Sequence, residues 1–285
     1  MESSNGEMNS EQFNSADVLR ANQILYGGEA SSYDSKNHVK SRAIRRYYES
    51  LLNGLLNDLD RRHGCKMLDV GCGTGFLEDF LVARGAHVYA VDATAAMLET
   101  ARAKFSEGRV SWIRADATRL PFSALSFDMV CSNAVLHHLY DWRSLLRQMI
   151  DLLKPEGRLL IGYEPNAIPH KVFRPLLMAM AKLAPEEKRW NREGPADLPS
   201  GHLRDVDVHK LAEFHIFYGR GIHPFKLRRY LLDAGLREVH LHFTSLYQAL
   251  LIKDYGIPLP LDFLPQWVFK MSGPLSLSFS LTARK

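Results

Sequence analysis

Four acids, two adjacent histidines and a run of alternating glycines carry the chemistry legible in this chain. Asp69 lies in the short apolar run Lys66–Val70, which breaks into Gly71-Cys72-Gly73-Thr74-Gly75. Glycine at every second position lets the backbone turn tightly and approach a bound molecule with no Cβ in the way. A helical pattern begins just after, and its first turn offers unpaired N–H groups to an electron-rich ligand. A dinucleotide-binding turn would put its third glycine at position 76, where this chain has Phe76. A carboxylate at Asp69 beside the turn repels a pyrophosphate and suits a cation. Asp92 ends the next apolar run, at a spacing suited to accepting hydrogen bonds from ribose hydroxyls. Asp116 ends the third run, His137 and His138 follow the fourth, and Glu164 ends the fifth.

S-adenosylmethionine meets these requirements, since it carries a sulfonium and an ammonium and has no phosphate. Leu68-Asp69-Val70-Gly71-Cys72-Gly73-Thr74-Gly75 resembles the first motif of class I S-adenosylmethionine-dependent methyltransferases. Ala115-Asp116-Ala117 with Leu120-Pro121-Phe122 resembles a further stretch of that family. The runs Phe127–Leu139 and Leu153–Ile161 resemble its ubiquinone- and menaquinone-biosynthesis-like branch, methyltransferase domain type 11. The resemblance covers residues 66–166 and implies S-adenosylmethionine as cofactor and S-adenosylhomocysteine as product. It implies that Gly71, Gly73 and Gly75 cradle the cofactor, with Asp69 beside them, and that Asp92 and Ala93 meet the ribose. Met97 would lie against the adenine, and Asp116 would accept from its amino group while the Ala117 N–H donates to the ring. Asn133 would stand at the carboxyl end of the fourth strand. Tyr33 would face the sulfonium, as an aromatic of the N-terminal segment often does in that family. For each there is a bland alternative, such as a helix cap at Asp92, core packing at Met97 or a surface aromatic at Tyr33.

A methyl acceptor that must lose a proton needs a base, and histidine is the default choice. His137, slightly ahead of His138, is the expected base, with Glu164 as a further catalytic candidate. Their structural alternatives are a backbone hydrogen bond that orients the loop, or a turn. The strand pair His240-x-His242 lacks an evident third ligand, so no metal centre is predicted.

Positioning these groups takes an α/β fold: a Rossmann-like, seven-stranded, mostly parallel sheet with helices on both faces. The expected divisions are a disordered tail at 1–15, an N-terminal helical lid and first helix at 16–62, and a cofactor-binding core at 63–166. A substrate-covering helical insertion between strands five and six follows at 167–223, then a C-terminal helix and final antiparallel strands at 224–285. In the lid, Gly27-Gly28 is expected to separate two short helices. Residues 38–62 read as an amphipathic helix through Ile44, Tyr48, Leu52 and Leu55. Its basic face admits a membrane-surface reading beside the commoner core-packing one. Strong apolarity in Leu246–Met271 points to a hydrophobic or aromatic acceptor.

The 285 residues carry a formal net charge of +4, with basic and acidic residues interleaved, which gives no basic stripe for nucleic acid. Three cysteines without framework spacing fit a reducing compartment. No signal peptide or transmembrane run is legible, so the expectation is a cytoplasmic monomer or homodimer. The function expected is methyl transfer by in-line displacement to a small molecule. A protein or RNA methyltransferase, a nicotinamide oxidoreductase and a non-catalytic cofactor-binding subunit are the competing readings.

Overall fold

The computed structural model describes residues 12–36, 42–57, 59, 64–105, 108–169, 206–218, 221–244, 273, 276 and 278–285. Most of the expected tail, the segment from 170 to 205 and the apolar stretch Leu246–Met271 lie outside these residues. The strands are β1 Lys66–Val70, β2 His87–Asp92, β3 Val110–Arg114, β4 Phe127–Asn133, β5 Leu153–Pro165, β6 Arg237–Phe243 and β7 Ser278–Arg284. Among the described residues they form one seven-stranded sheet in the order β3-β2-β1-β4-β5-β7-β6. The first five pair in parallel, while β7 runs antiparallel to both β5 and β6. The strand order reverses between β1 and β4. In such a sheet the crevice beyond the carboxyl ends at that reversal is where ligands sit.

Alternation along the strands sorts the core into two layers. Leu68, Val70, Val130, Leu159 and Ile161 pack on one face with Leu145, Leu146 and Met149 of α6 (Trp142–Leu152) and with Leu227 and Leu231. Met67, Met129, Cys131 and Leu160 pack on the other with Ile44, Tyr48, Leu52 and Leu56. The remaining helices are α1 Ser15–Glu29, α2 Tyr33–Lys36, α3 Arg42–Leu56, α4 Glu78–Val82 and α5 Ala95–Arg102. After α6 come α7 Val208–Ala212, α8 Phe214–Phe217 and α9 Pro224–Asp233. Burying each large apolar side chain in these layers stabilises the fold by about 1.5–3 kcal/mol. The apolar face of α3 is spent on the sheet: Ile44, Tyr48, Leu52 and Leu56 are all fully buried. No apolar face of that helix is left for a membrane surface, and no helix among the described residues is long and apolar enough to cross one.

Several local expectations need correction. Gly27-Gly28 does not divide the N-terminal segment, because α1 runs through both glycines. An Asn14 capping box starts this helix: the Asn14 side chain accepts from Ala16 and Asp17 N–H while Asp17 accepts the Asn14 N–H. Phe13, assigned to the disordered tail, is buried against Tyr218 with Val206, Leu211 and Phe214 nearby. Lys154–Gly157 belongs to the start of β5, where the register against β4 slips between Phe127 and Met129. Within the expected helical insertion, the described residues form two short helices, α7 and α8, meeting at Glu213.

The glycine turn packs directly on the chain leaving β4. Gly71 has φ +75°, and a Cβ added there would lie 2.3 Å from Val135 Cγ2. Replacing Gly71 by Ala therefore incurs both backbone strain and a clash. The expected loss is ~1–3 kcal/mol, read from the urea midpoint; an unshifted midpoint would mean that Val135 yields without cost.

Candidate functional site

The carboxyl ends of β1, β2 and β4 open into a cleft enclosing about 860 Å³, its mouth included. Gly71 and Gly73 form its floor with Val70, and α1 contributes Val18, Asn22 and Tyr26 to its wall. Gly73 turns open space toward the cleft: a Cβ there would meet no atom within 4 Å. The Asp92 carboxylate organises this corner. One oxygen accepts the Gly73 N–H at 2.9 Å and the other the Thr94 N–H at 2.8 Å. Thr94 precedes α5 without a side-chain cap, and Asp92 fixes the chain just before the helix through the Thr94 N–H. Burial raises the Asp92 carboxyl, and the N–H groups of Thr94 and Gly73 oppose the rise.

Tyr33, Ala93 and Met97 also line the cleft, as do Asp116, Ala117 and Asn133. Asp116 accepts the Thr118 N–H at 2.8 Å, and Gln148 braces the same loop by donating to the Ala117 and Thr118 carbonyls. Tyr48 donates its hydroxyl to Asn133 Oδ1 from the helix layer below. Tyr33 is held in place through its neighbour. Asp34 accepts the Thr74 hydroxyl at 2.6 Å and pairs with Lys104, which also reaches the Thr74 carbonyl.

Two expected cofactor contacts fall elsewhere. Asp69 is 1% exposed and does not line the cleft. It lies beneath the turn with Cys131 Sγ 3.6 Å away; burial pushes its carboxyl up to about 7, against the lowering effect of Glu78 and Cys131, while burial and then Asp69 raise the Glu78 carboxyl. Two buried carboxyls beside each other do not both ionise, so the pair retains a proton, and what charge it keeps lies beneath the turn and outside the cleft lining. Gly75 also faces away: a Cβ there would meet Phe105 at 2.8 Å. Its role is packing under the turn.

The chain leaves β4 through Ala134 in the left-handed region, φ +56°. Glu164 makes that exit possible. Fully buried, it accepts the Val135 and Leu136 N–H groups at 2.9 Å each with one oxygen. The other takes the His137 N–H at 3.2 Å and faces His137 Nδ1 at 2.9 Å. Burial opposes its charge, but the His137 imidazolium and these N–H groups hold its carboxyl below the usual range. Glu164 is thus a structural anion, and the expected role as base does not fit it.

His137 is likewise corrected. It is buried outside the cleft lining, with Nδ1 on Glu164 and Nε2 3.4 Å from Glu213 Oε2. Burial works against its charge, yet the two carboxylates raise its pKa to about 9. A group already protonated and paired on both nitrogens cannot accept a proton. His138 is the one of the pair that lines the cleft. Its Nδ1 lies 3.0 Å from the Ala212 carbonyl. A carbonyl only accepts, so Nδ1 carries the proton and Nε2 the lone pair. Burial and the neighbouring His137 charge push its pKa down to about 4. His138 is therefore neutral near pH 7.

Sequence reasoning missed Glu213, Tyr26 and Asn22. Tyr26 donates to Glu213 at 2.6 Å, and Asn22 donates to the His138 carbonyl at 3.0 Å. Val18, Asn22 and Tyr26 recur every four residues, one face of a helix, which was the available signal for α1. Nothing local marks Glu213, which reaches the histidines from a distant segment. His137, His138 and Glu213 bring three possible ligand atoms within 4.8 Å. The imidazolium of His137 between two carboxylates accounts for this cluster without a metal.

Because its folded pKa of about 9 exceeds the ordinary histidine value of 6.5, His137 contributes stability that is full below the unfolded pKa and lost as pH rises through about 9. Urea unfolding should show a decline on the order of 1–3 kcal/mol between pH 7 and 9.5, absent from His137→Gln. An equal decline in both proteins would remove His137 as its source.

Residues 68–161 match the family model described as a methyltransferase domain. An uncharacterized methyltransferase of Mycobacterium tuberculosis is 39% identical over 95 residues, which cover 33% of this chain and 48% of that protein. A ubiquinone/menaquinone biosynthesis C-methyltransferase of Vibrio vulnificus is 32% identical over 151 residues, covering 50% and 56% respectively. The chain thus spans about half the length of the curated relatives it matches. Among solved structures, an S-adenosylmethionine-dependent methyltransferase of Mesorhizobium loti shares the fold with a TM-score of 0.53 at 19% identity, over 87% of this chain and 100% of that one. Residues 68–161, which carry the glycine turn and much of the switch-point cleft, thus match a methyltransferase domain and are similar to part of a ubiquinone/menaquinone biosynthesis C-methyltransferase.

Proposed function

We propose that this chain uses S-adenosylmethionine to methylate a small, hydrophobic or aromatic molecule in the switch-point cleft. The observation that carries the reading is the charge of the cleft wall. Asp92 and Asp116 line it, and among the described lining residues there is no lysine or arginine. A dinucleotide pyrophosphate would find two carboxylates and no counter-charge there. A phosphate-free nucleoside bearing a sulfonium suits the same wall, and the Gly73 corner leaves room for its backbone-side approach. When bound, S-adenosylmethionine supplies an electrophilic methyl carbon.

The chain's own residues divide the remaining work. Asp92, already oriented by two backbone N–H groups, would accept from the ribose hydroxyls. Asp116 and Ala117 would read the base edge, and Met97, 3% exposed, would pack against its face. Tyr33 would turn a ring toward the sulfonium. Val18, Leu19, Leu139 and Tyr140 give the wall an apolar part that supports a lipophilic acceptor and excludes water from the transfer. His138 would take the acceptor's proton at Nε2. These assignments, a cytoplasmic setting and a monomer or homodimer complete the reading.

Incubation with methyl-labelled S-adenosylmethionine should put label into organic extracts of small molecules; label mainly in protein or RNA would defeat the small-molecule reading. Asp92→Asn should weaken cofactor binding by ~1–3 kcal/mol in calorimetry, and unchanged affinity would mean that the ribose lies elsewhere. His138→Gln should slow turnover ~10²–10⁴-fold while cofactor affinity stays within about 2-fold; undiminished turnover would dismiss His138 as the base.

A further inference from the structure

The hydrogen-bonding capacity around His138 leaves one demand unmet. Tyr26 has a single hydroxyl proton, and two neighbours compete for it. Glu213 Oε1 lies at 2.6 Å and His138 Nε2 at 3.4 Å. The carboxylate is charged and close, so the proton goes to Glu213. Burial and then the Glu213 charge keep Tyr26 in its phenol form. Meanwhile His138 spends its own proton on the Ala212 carbonyl. The Tyr26 oxygen and His138 Nε2 therefore face each other as two acceptors with no proton between them. Both residues line the cleft, and their rings meet edge to face at 5.1 Å.

Every group packed around the pair reinforces this arrangement. Glu213 is anchored by the His137 imidazolium at 3.4 Å and, as a carboxylate, only accepts. Glu164 holds His137 from the other side. Asn22 donates to the His138 carbonyl and fixes the approach of α1 to the 3-10 turn at Leu136–His138. Tyr33 stands edge-on to Tyr26 at 6.1 Å. None of these supplies a hydrogen to the paired acceptors in the contacts the structure shows.

We propose that the Tyr26 oxygen and His138 Nε2 form a two-point receptor for a hydroxyl proton, which makes Tyr26 a specificity-determining residue and the methyl acceptor a phenol or enol. The proposal rests on the methyltransferase reading above and narrows its acceptor. The hydroxyl proton passes to Nε2, making His138 an imidazolium. The bonding pair it leaves stays on the acceptor and forms the new bond to the methyl carbon. The carbon–sulfur pair remains on sulfur. Glu213 acts as a positioning residue, by drawing the Tyr26 proton away from Nε2 and so keeping the lone pair available. An acceptor whose hydroxyl is blocked has nothing to offer the pair.

The test uses the full chain with 4-nitrophenol as spectroscopic probe and a panel of phenols with their O-methyl ethers and aniline counterparts. The neutral phenol should bind, so the absorbance titration of bound 4-nitrophenol should shift to higher pH than that of the free probe. Tyr26→Phe should reduce this shift and raise the probe dissociation constant at least about 5-fold, with S-adenosylmethionine affinity within about 2-fold of wild type. Labelled methyl should enter phenols and not the ethers or anilines, and Tyr26→Phe should lower that transfer about 10-fold or more. Glu213→Gln should weaken probe binding, and Glu213→Asp should restore part of it. Transfer to anilines or ethers, no transfer to any phenol, no saturable probe binding, or a Tyr26→Phe protein indistinguishable from wild type would each overturn the proposal. Failure to bind S-adenosylmethionine would instead overturn the methyltransferase reading beneath it.

Discussion

The grip of one buried carboxylate on the chain leaving β4 underlies the site. Glu164 accepts three consecutive backbone N–H groups and faces the His137 imidazole. Hydrogen bonds to a charged group stabilise by about 1.5–3 kcal/mol each, enough to hold Ala134 in a backbone region that side chains other than glycine rarely adopt. That exit brings Val135 against Gly71 and turns His138 toward the cleft. Glu164 is at the carboxyl end of the neighbouring parallel strand, so the grip also couples the loop to the sheet. Without it the cleft would lose one wall and His138 its orientation.

Buried charge is arranged so that the cleft receives little of it. Glu164 and Glu213 share the His137 imidazolium, and the buried Asp69 and Glu78 carboxyls lie together beneath the glycine turn. Ionised groups are costly to bury unless paired, and both clusters lie behind the cleft wall. What faces the cleft is polar in a selective way: two strand-end acids, a neutral imidazole and tyrosine rings. The charge on His137 has a second consequence. It lowers the basicity of His138 next to it, at a ring separation of 3.9 Å, and so keeps that imidazole unprotonated. Two adjacent histidines thus take opposite protonation states because one touches carboxylates on both sides and the other mainly a carbonyl.

The wall formed by α1 shows how an element outside the sheet becomes part of the site. Gln23 donates to the Ala93 carbonyl at 3.2 Å and Asn22 to the His138 carbonyl at 3.0 Å. The helix therefore bridges the strand end that carries Asp92 and the turn that carries His138. It also packs on α7, where Val18 and Ala21 join Leu211 and Ala212 in a small apolar cluster. Tyr26 completes the bridge through Glu213. Segments far apart in the chain converge here, so the wall is as strong as its polar fastenings and this modest core.

Much of the architecture was legible in the residues. Short, nearly continuous apolar runs at 66–70, 87–92 and 127–133 defined the central strands, because a parallel strand buried on both faces demands them. The glycines at 71 and 73 and the acids at 92 and 116 fell at the strand ends where that topology puts a ligand. Local pattern could not tell which glycine faces the cleft and which packs beneath it. Gly75 and Asp69 have the same residue types as true cleft residues and differ only in which side of the turn they occupy. Nor could it separate His137 from His138, since their chemistry is set by Glu164 and Glu213, residues 27 and about 75 positions away in the chain. The sequence by itself determined the sheet, the turn and the family resemblance, because those depend on short-range periodicity and spacing. Only the tertiary structure decided which groups hold protons, because a pKa depends on the charges and burial brought together by folding.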